Sequence, residues 1–407
     1  METKLKITEN YNHTIYASFI GYIVQAIINN FAPLLFLTFQ KEYNVSLDKI
    51  SLLITFNFGV QLMIDLLSAK FIDKIGYKIS IVVAHIFAAV GLISLSILPT
   101  ILSNPFGGLV VAVMLYAIGG GLTEVLVSPI VEACPTKRKE AAMSLLHSFY
   151  SWGQAAVILL STAFFVVIGI SNWRILTIIW AIVPLLNGIY YAIVPIETLN
   201  KEEEGISIRQ LMKNRVFWLM VMLMICAGAC EQAVSQWASA FAEAGLGVSK
   251  AIGDLAGPCA FALLMGSARV FYAKFSSKIE LQKFMMISGG LCLISYLITS
   301  LSPYKVMGLI GCALCGLSVG IMWPGTFSIS SLNIKGGGTA MFALLALAGD
   351  LGCSLGPTFV GFMSETLNND LKKGILAAIV FPIMLIGGLL ILKNTQEKNC
   401  KTFKNNL

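Results

Sequence analysis

Charged side chains set inside long apolar runs are the residues of this sequence best suited to chemistry. Glu124, Glu231 and Asp350 interrupt such runs, and Asp65 and Arg269 lie late in two others. An ionised group in hydrocarbon costs about 2.5 to 3.5 kcal/mol on insertion scales, so each needs a reason to be there. A carboxyl in that setting can bind and release a proton. Glu124, with Ser128 one helical turn further on the same face, is the first choice for that role; the bland alternative is a Glu that permanently bridges helices. His147, Tyr150, Ser151 and Gln154 fall at offsets of three, four and seven, along one helix face. There His147 serves as a proton relay or hydroxyl partner, or else as a packing histidine bonded to a carbonyl. Glu231, Gln232, Ser235, Gln236 and Trp237 put an acid and amides beside an aromatic ring. That mixture suits a polyol: amides donate to and accept from neighbouring hydroxyls, while Trp237 or Trp323 covers the apolar face of a sugar ring. Polar glue between helices is the competing reading.

Asn57, Gln61 and Asp65 follow one another at single-turn spacing. With Arg269 at a comparable late position in the second half of the chain, Asp65 suggests a gate whose ion pair forms in one state and breaks in another, against a static pair whose side chains snorkel to the interface. Asp350 sits in a run punctuated by Gly349, Gly352, Gly356, Pro357 and Gly361. It is a candidate second proton-coupling acid, unless neighbouring helices simply satisfy it.

The elements that must position these groups are membrane spans. Of the 407 residues 57% are hydrophobic and 12% charged, and mean hydropathy is +0.81. An ordinary soluble protein runs near 25% charged, so a soluble enzyme is excluded. Windows of about 20 apolar residues begin near Thr14, Ile50, Ile79, Phe106, Ala142 and Trp173, and again near Arg215, Ala251, Phe284, Lys305, Thr339 and Lys373. Each must be helical, because a backbone in lipid has to satisfy its own polar groups. Most of the 28 Lys and Arg fall in loops on the side that also holds both termini, which the positive-inside rule makes cytoplasmic. The stretch Thr198 to Asn214 carries Glu202, Glu203 and Glu204 and then an amphipathic segment, and reads as a hinge. The expected domains are therefore residues 1–196, a linker 197–214, and residues 215–407. Faint repetition agrees: Gly121 to Pro129 has the spacing of Gly316 to Pro324, and Ala142-Met143 corresponds to Ala340-Met341. Two similar halves of six helices are a transporter architecture.

Other classes find little support. The net charge of +7 is spread over short loops rather than a basic patch, so nucleic acid is not an expected partner. Seven cysteines lie within apolar runs as small packing residues, and Cys312-x-x-Cys315 lacks the second pair or His that zinc would need. The polar N-terminus shows no signal peptide. No GxxxxGK[ST] run occurs, and no cofactor or metal is expected.

At the end of the second span, Ala69-Lys-Phe-Ile-Asp73-Lys74-Ile-Gly76-Tyr77-Lys78 resembles the loop motif of the major facilitator superfamily, with Ala69 in place of its first Gly and Tyr77 in place of a basic residue. The resemblance implies a fold of twelve transmembrane helices in two pseudo-symmetric six-helix bundles. It also gives Asp73, Lys74, Gly76 and Lys78 a gating role, closing one face through caps and charge pairs at helix ends. Gly119-Gly-Gly-Leu-Thr-Glu124-Val-Leu-Val-Ser128-Pro129, with Leu146-His147-Ser148-Phe149-Tyr150 and Gly320-Ile-Met-Trp323-Pro324, is similar to the fucose permease branch of sugar:proton symporters. Where those permeases carry an Asp in span one this chain offers Asn29 and Asn30, the candidate solute ligands there. The implied activity is alternating access, with proton-coupled uptake of a sugar or similar small polar solute by a monomer in the cell membrane, its other partners being protons and membrane lipid. Two rivals stay open. One is a proton-coupled exporter of drugs or metabolites, whose GxxxGPxxGG signature is missing from span five. The other is a receptor that kept the scaffold without transporting.

Overall fold

The computed structural model describes residues 6–135, 139–197, 208–275, 278–334 and 338–405, and among them all regular structure is helical. Twelve helices are long and apolar enough to cross a membrane: Tyr11–Tyr43, Leu47–Leu67, Tyr77–Ile101, Pro105–Ala133, Ser148–Ile168 and Ile170–Ile193, then Arg215–Gly245, Lys250–Tyr272, Leu281–Leu301, Lys305–Asn333, Ala343–Thr366 and Leu371–Thr395. They are spans one to twelve below. Several begin on recognisable caps. Asn104 accepts from the Gly107 amide with Pro105 at the first helical position, and Asp370 accepts from the amides of Lys372 and Lys373; each side chain satisfies amides that the first turn leaves without partners.

Six spans are not continuous α-helix: span six opens on a 3-10 turn, Ile170–Asn172, span twelve is interrupted between Ala377 and Val380, and spans one, seven, eight and ten break as follows. Span one changes at Pro33 to a short 3-10 segment, Ala32–Leu35. Span seven is interrupted after Ser235 and ends in a π-helical turn, Phe241–Gly245. Span eight contains a π-helical turn, Leu255–Cys259, around Pro258. Span ten stops at Val319 and resumes at Met322, just before Pro324. Proline removes a helix donor and crowds the preceding turn. Such interruptions in a membrane are tolerated where protein or a polar interior receives the released backbone groups.

Two compact units emerge. Unit 1 comprises Met1–Lys201 together with Gln236–Leu263, so the end of span seven and the start of span eight pack among the first six spans. Unit 2 comprises Glu202–Ser235 with Leu264–Leu407. Within unit 1, spans three and four touch backbone to backbone at Gly91, where a Cβ would stand 2.2 Å from the Tyr116 nitrogen. Within unit 2, spans seven and eleven do the same at Gly352, where a Cβ would stand 2.0 Å from the Ile225 carbonyl. Small residues at a helix crossing allow this approach, and dispersion and weak polar contacts then hold the pair in lipid. Outward on span three, Ile86, Val90, Ile93 and Ile97 form an exposed apolar stripe, the surface a hydrocarbon phase would cover.

Gly76 alone separates the helices of spans two and three, with φ at +88° and its amide bonded to the Ile72 carbonyl. A side chain at that φ is strained, which is why the loop motif needs glycine here. Lys78 beyond it donates to the Val194 carbonyl at 3.1 Å, tying span three to the end of span six. The side chains of Asp73 and Lys74 lie outside the described residues.

Candidate functional site

In unit 1 the polar residues of spans one, two and four meet as a connected chain. Gln25 and Asn29 are one turn apart on span one, Asn57 and Gln61 on span two, Glu124 and Ser128 on span four, so each helix presents two polar groups to the same interior. Gln25 Nε2 donates to Glu124 Oε2 at 3.0 Å and to Gln61 Oε1 at 2.8 Å. Gln61 Nε2 donates to Asn57 Oδ1 and to Asn29 Oδ1, both at 3.0 Å, and Asn57 Nδ2 donates to the same Asn29 oxygen at 3.0 Å. Asn29 Nδ2 reaches the Tyr150 hydroxyl of span five at 3.5 Å, and Tyr22 and Ser128 share a hydrogen bond of 3.0 Å. Gln236 Nε2, from the start of the segment of span seven that belongs to unit 1, donates to the Asn29 backbone carbonyl at 3.0 Å. Gln25, Asn29, Asn57, Gln61 and Gln236 are all buried, whereas Glu124 and Tyr150 keep partial exposure. A carboxyl at one end of a line of amides can change protonation while its neighbours reorient, because each amide offers both a donor and an acceptor.

The remaining expected ligands in this unit have other company. Asn30 turns back to the Ala26 carbonyl of its own helix at 2.9 Å. Gln154 is buried, and Trp237 is fully buried with the Phe36 ring 5.4 Å away, so that ring contact already covers part of its surface. Asp65 is half-buried one turn beyond Gln61. The side chain of His147 lies outside the described residues.

Sequence reasoning missed two parts of unit 1. Gln25 was one, although its one-turn spacing from Asn29 is a legible signal. The other is Asp254, whose carboxylate is 0% exposed and accepts from Lys250 at 3.1 Å, from Thr162 at 3.2 Å and from Ser239. Beside this cluster lies a cavity of about 430 Å³, lined among others by Lys41, Glu42, Phe165, Glu243 and Lys250. The spacing of Lys250 and Asp254, one turn apart, was the available hint.

In unit 2 the charges pair directly. Glu231 Oε2 of span seven faces Arg269 Nη2 of span eight at 3.7 Å, and Glu231 Oε1 accepts from Gln232 Nε2 at 3.1 Å. Arg269 Nε donates to the Gly320 carbonyl at 3.2 Å, at the break in span ten. One turn past that break, the Trp323 ring packs so tightly on span eleven that a Cβ at Gly349 would stand 2.2 Å from it. Asp350, the next residue, is buried. The residues read from sequence as a coupling acid and a gating cation are thus brought together here.

Among the described residues, twelve helices long and apolar enough to cross a membrane define a multi-pass membrane protein. The family model for the Major Facilitator Superfamily matches residues 15–357, and the chain belongs to that superfamily. It is a transporter rather than an enzyme, with the cell membrane as its expected location. No curated protein matches it. Solved structures share the fold. A bacterial homologue of the human lysosomal transporter Spinster, inward-facing and unoccupied, aligns with a TM-score of 0.78 at 14% identity, over 95% of this chain and 98% of that one. The same homologue in its occupied inward-facing form gives 0.75 at 14%, over 94% and 97%. A D-xylose–proton symporter gives 0.75 at 16%, over 94% and 97%. At such identities the likeness speaks for the fold alone.

Proposed function

We propose that this transporter couples solute uptake to protons, carrying a sugar or similar small polar solute inward by alternating access, as a monomer with both termini cytoplasmic. Residues 1–196 and 215–407 are the two bundles that exchange positions about the linker 197–214. Glu124 binds the proton. The observation that carries this reading is the hydrogen-bonded line from Glu124 through Gln25 and Gln61 to Asn29 and Tyr150. Its members offer donors and acceptors to hydroxyls, and its far end responds to the state of the carboxyl. Glu231 and Asp350 are further coupling acids, His147 is a relay, and Gln154, Gln232, Gln236, Asn30, Trp237 and Trp323 complete the solute's surroundings when the protein opens. The loop from Asp73 to Lys78, with Asp65 and Arg269, governs gating.

The test is uptake into proteoliposomes under an imposed pH gradient, with a panel of monosaccharides and sugar acids. Gradient-driven accumulation is expected for at least one of them. Glu124→Gln should abolish accumulation while leaving solute exchange across the membrane intact. Accumulation by that variant equal to the parent removes Glu124 from coupling, and sensitivity to sodium but not to pH removes the proton.

A further inference from the structure

We infer that the solute carries a carboxylate, and that Arg269 binds it in exchange for Glu231, which takes a proton as the anion arrives. The inference rests on the transport reading above and narrows its solute class from sugars at large to sugar acids and similar hydroxylated carboxylates.

A guanidinium buried only to stabilise the fold would be expected to grip its carboxylate bidentately, near 2.8 Å. The pair here stands 3.7 Å apart, and the side chains keep 29% of the Arg269 surface and 11% of the Glu231 surface exposed. The cation is instead fixed from behind. Its Nε bonds the Gly320 carbonyl, which caps the half-helix ending at Val319, where the carbonyl end of a helix carries partial negative charge. Spans eight and ten are in backbone contact at that point, since a Cβ on Gly320 would lie 2.7 Å from the Met265 carbonyl. Arg269 therefore keeps its place when Glu231 lets go, which is the property an anion site requires.

Charge decides what can bind. A second carboxylate brought to Arg269 while Glu231 is ionised would put two anions on one cation. A proton added to Glu231 removes that conflict and leaves the cluster's net charge unchanged: one negative charge is neutralised by H⁺, one arrives on the solute. The planar fork of Arg269 then accommodates the incoming carboxylate. Among the described residues, the other titratable groups on elements packed about Glu231 include Asp350, Cys353 and Glu365 of span eleven, the thiols of Cys226, Cys230, Cys292, Cys312 and Cys315, Tyr272 of span eight, and the Tyr296 hydroxyl, which donates to the Cys230 carbonyl at 2.9 Å. Spans nine, ten and twelve carry their charged residues only at their ends, at Glu280, Lys283, Lys305, Lys372, Lys373 and Lys393.

The experiment measures binding of D-glucuronate, D-gluconate and D-glucose to the purified full-length protein at pH 6 and pH 8, together with proteoliposome uptake of the same three. One sugar acid is expected to bind with glucose failing to displace it, and its affinity should rise about tenfold or more from pH 8 to pH 6, as one linked proton requires. Glu231→Gln should bind the acid at both pH values as the parent does at pH 6, and lose accumulation. Arg269→Gln should weaken it by roughly a hundredfold, and Arg269→Lys should recover part of that loss through charge alone. Glucose uptake with no competition from either acid, unaltered in Arg269→Gln, overturns the inference and leaves proton-coupled sugar transport standing. Failure of all three solutes to bind a well-folded parent protein overturns the inference, and absence of any gradient-driven uptake across the wider panel removes the transport reading as well.

Discussion

Glu124 and Glu231 are both carboxyls within apolar helices, yet their neighbours differ in kind. Glu124 accepts a hydrogen bond from Gln25, an amide that is itself linked to Gln61. Glu231 faces a guanidinium. An amide can present its oxygen or its nitrogen, so it can serve a carboxyl in either protonation state. A guanidinium only donates and stays charged at every accessible pH. The first acid can therefore change charge while its surroundings adapt, whereas the second cannot lose its charge without taking an anion away from a cation fixed beside it. Similar residues in similar helices are thereby fitted to different work: proton binding in unit 1, charge exchange in unit 2.

The comparison breaks hardest at Arg269. Arg269→Gln leaves Glu231 in a mostly buried position without its cation, and removal of one partner of a buried pair costs about 3 to 5 kcal/mol. Partial exposure of both side chains brings the expected loss to the lower part of that range, read as a fall in thermal unfolding temperature in detergent. The loss should be larger at pH 8 than at pH 5, because at low pH Glu231 can take a proton instead of remaining an unpaired anion. Equal destabilisation at both values would mean that Glu231 is not charged in the parent protein. The double variant Glu231→Gln with Arg269→Gln should recover most of the stability, since two neutral amides replace two charges.

A smaller effect is expected at Gln25. Gln25→Leu removes the donor to Glu124 and to Gln61 Oε1 together, and a buried acceptor left without its partner costs about 1 to 3 kcal/mol. Gln25→Glu keeps the shape but puts a second acid beside Glu124; it should be the worse of the two at pH 8 and approach the parent protein at pH 5. Identical stability of both variants at both pH values would show that Gln25 does not report to Glu124.

How much of this was visible beforehand follows from what each feature depends on. The twelve spans were legible because hydropathy is a local property and lipid leaves the backbone no choice but helix. Single-turn pairs such as Asn57 with Gln61, or Glu124 with Ser128, were legible for the same reason: one helix's geometry brings them together. Partners from distant spans were not. Nothing near Arg269 in the sequence announces that Glu231 and the Gly320 carbonyl will meet it. Asp254 follows so closely on the start of the apolar window near Ala251 that sequence alone puts it at the membrane edge; its burial depends on Thr162, far away in sequence. Trp237 looked like a sugar platform, and in this state it packs against Phe36. Nor does the run from Gly320 to Pro324 announce that the Gly320 carbonyl anchors a cation.

The smallest change in stability should come from Glu124→Gln, and the reason bears on coupling. Gln25 Oε1 is buried with no hydrogen-bond partner, while its Nε2 donates to Glu124. A neutral side chain at position 124 that could donate, whether an amide or a protonated carboxyl, would find that acceptor once the Gln25 amide turned over, and Gln61 and Asn57 could follow by the same half-rotation. The substitution should therefore alter stability by only about 0.5 kcal/mol in either direction, since the introduced amide oxygen can accept from Gln25 Nε2 as the carboxylate does. A loss of several kcal/mol would instead make Glu124 an anion held permanently by its neighbours, a structural bridge with no proton to deliver. Near-neutral stability combined with lost accumulation would separate the two acids as the comparison requires: one whose charge the fold can do without, and one whose charge it needs until a solute replaces it.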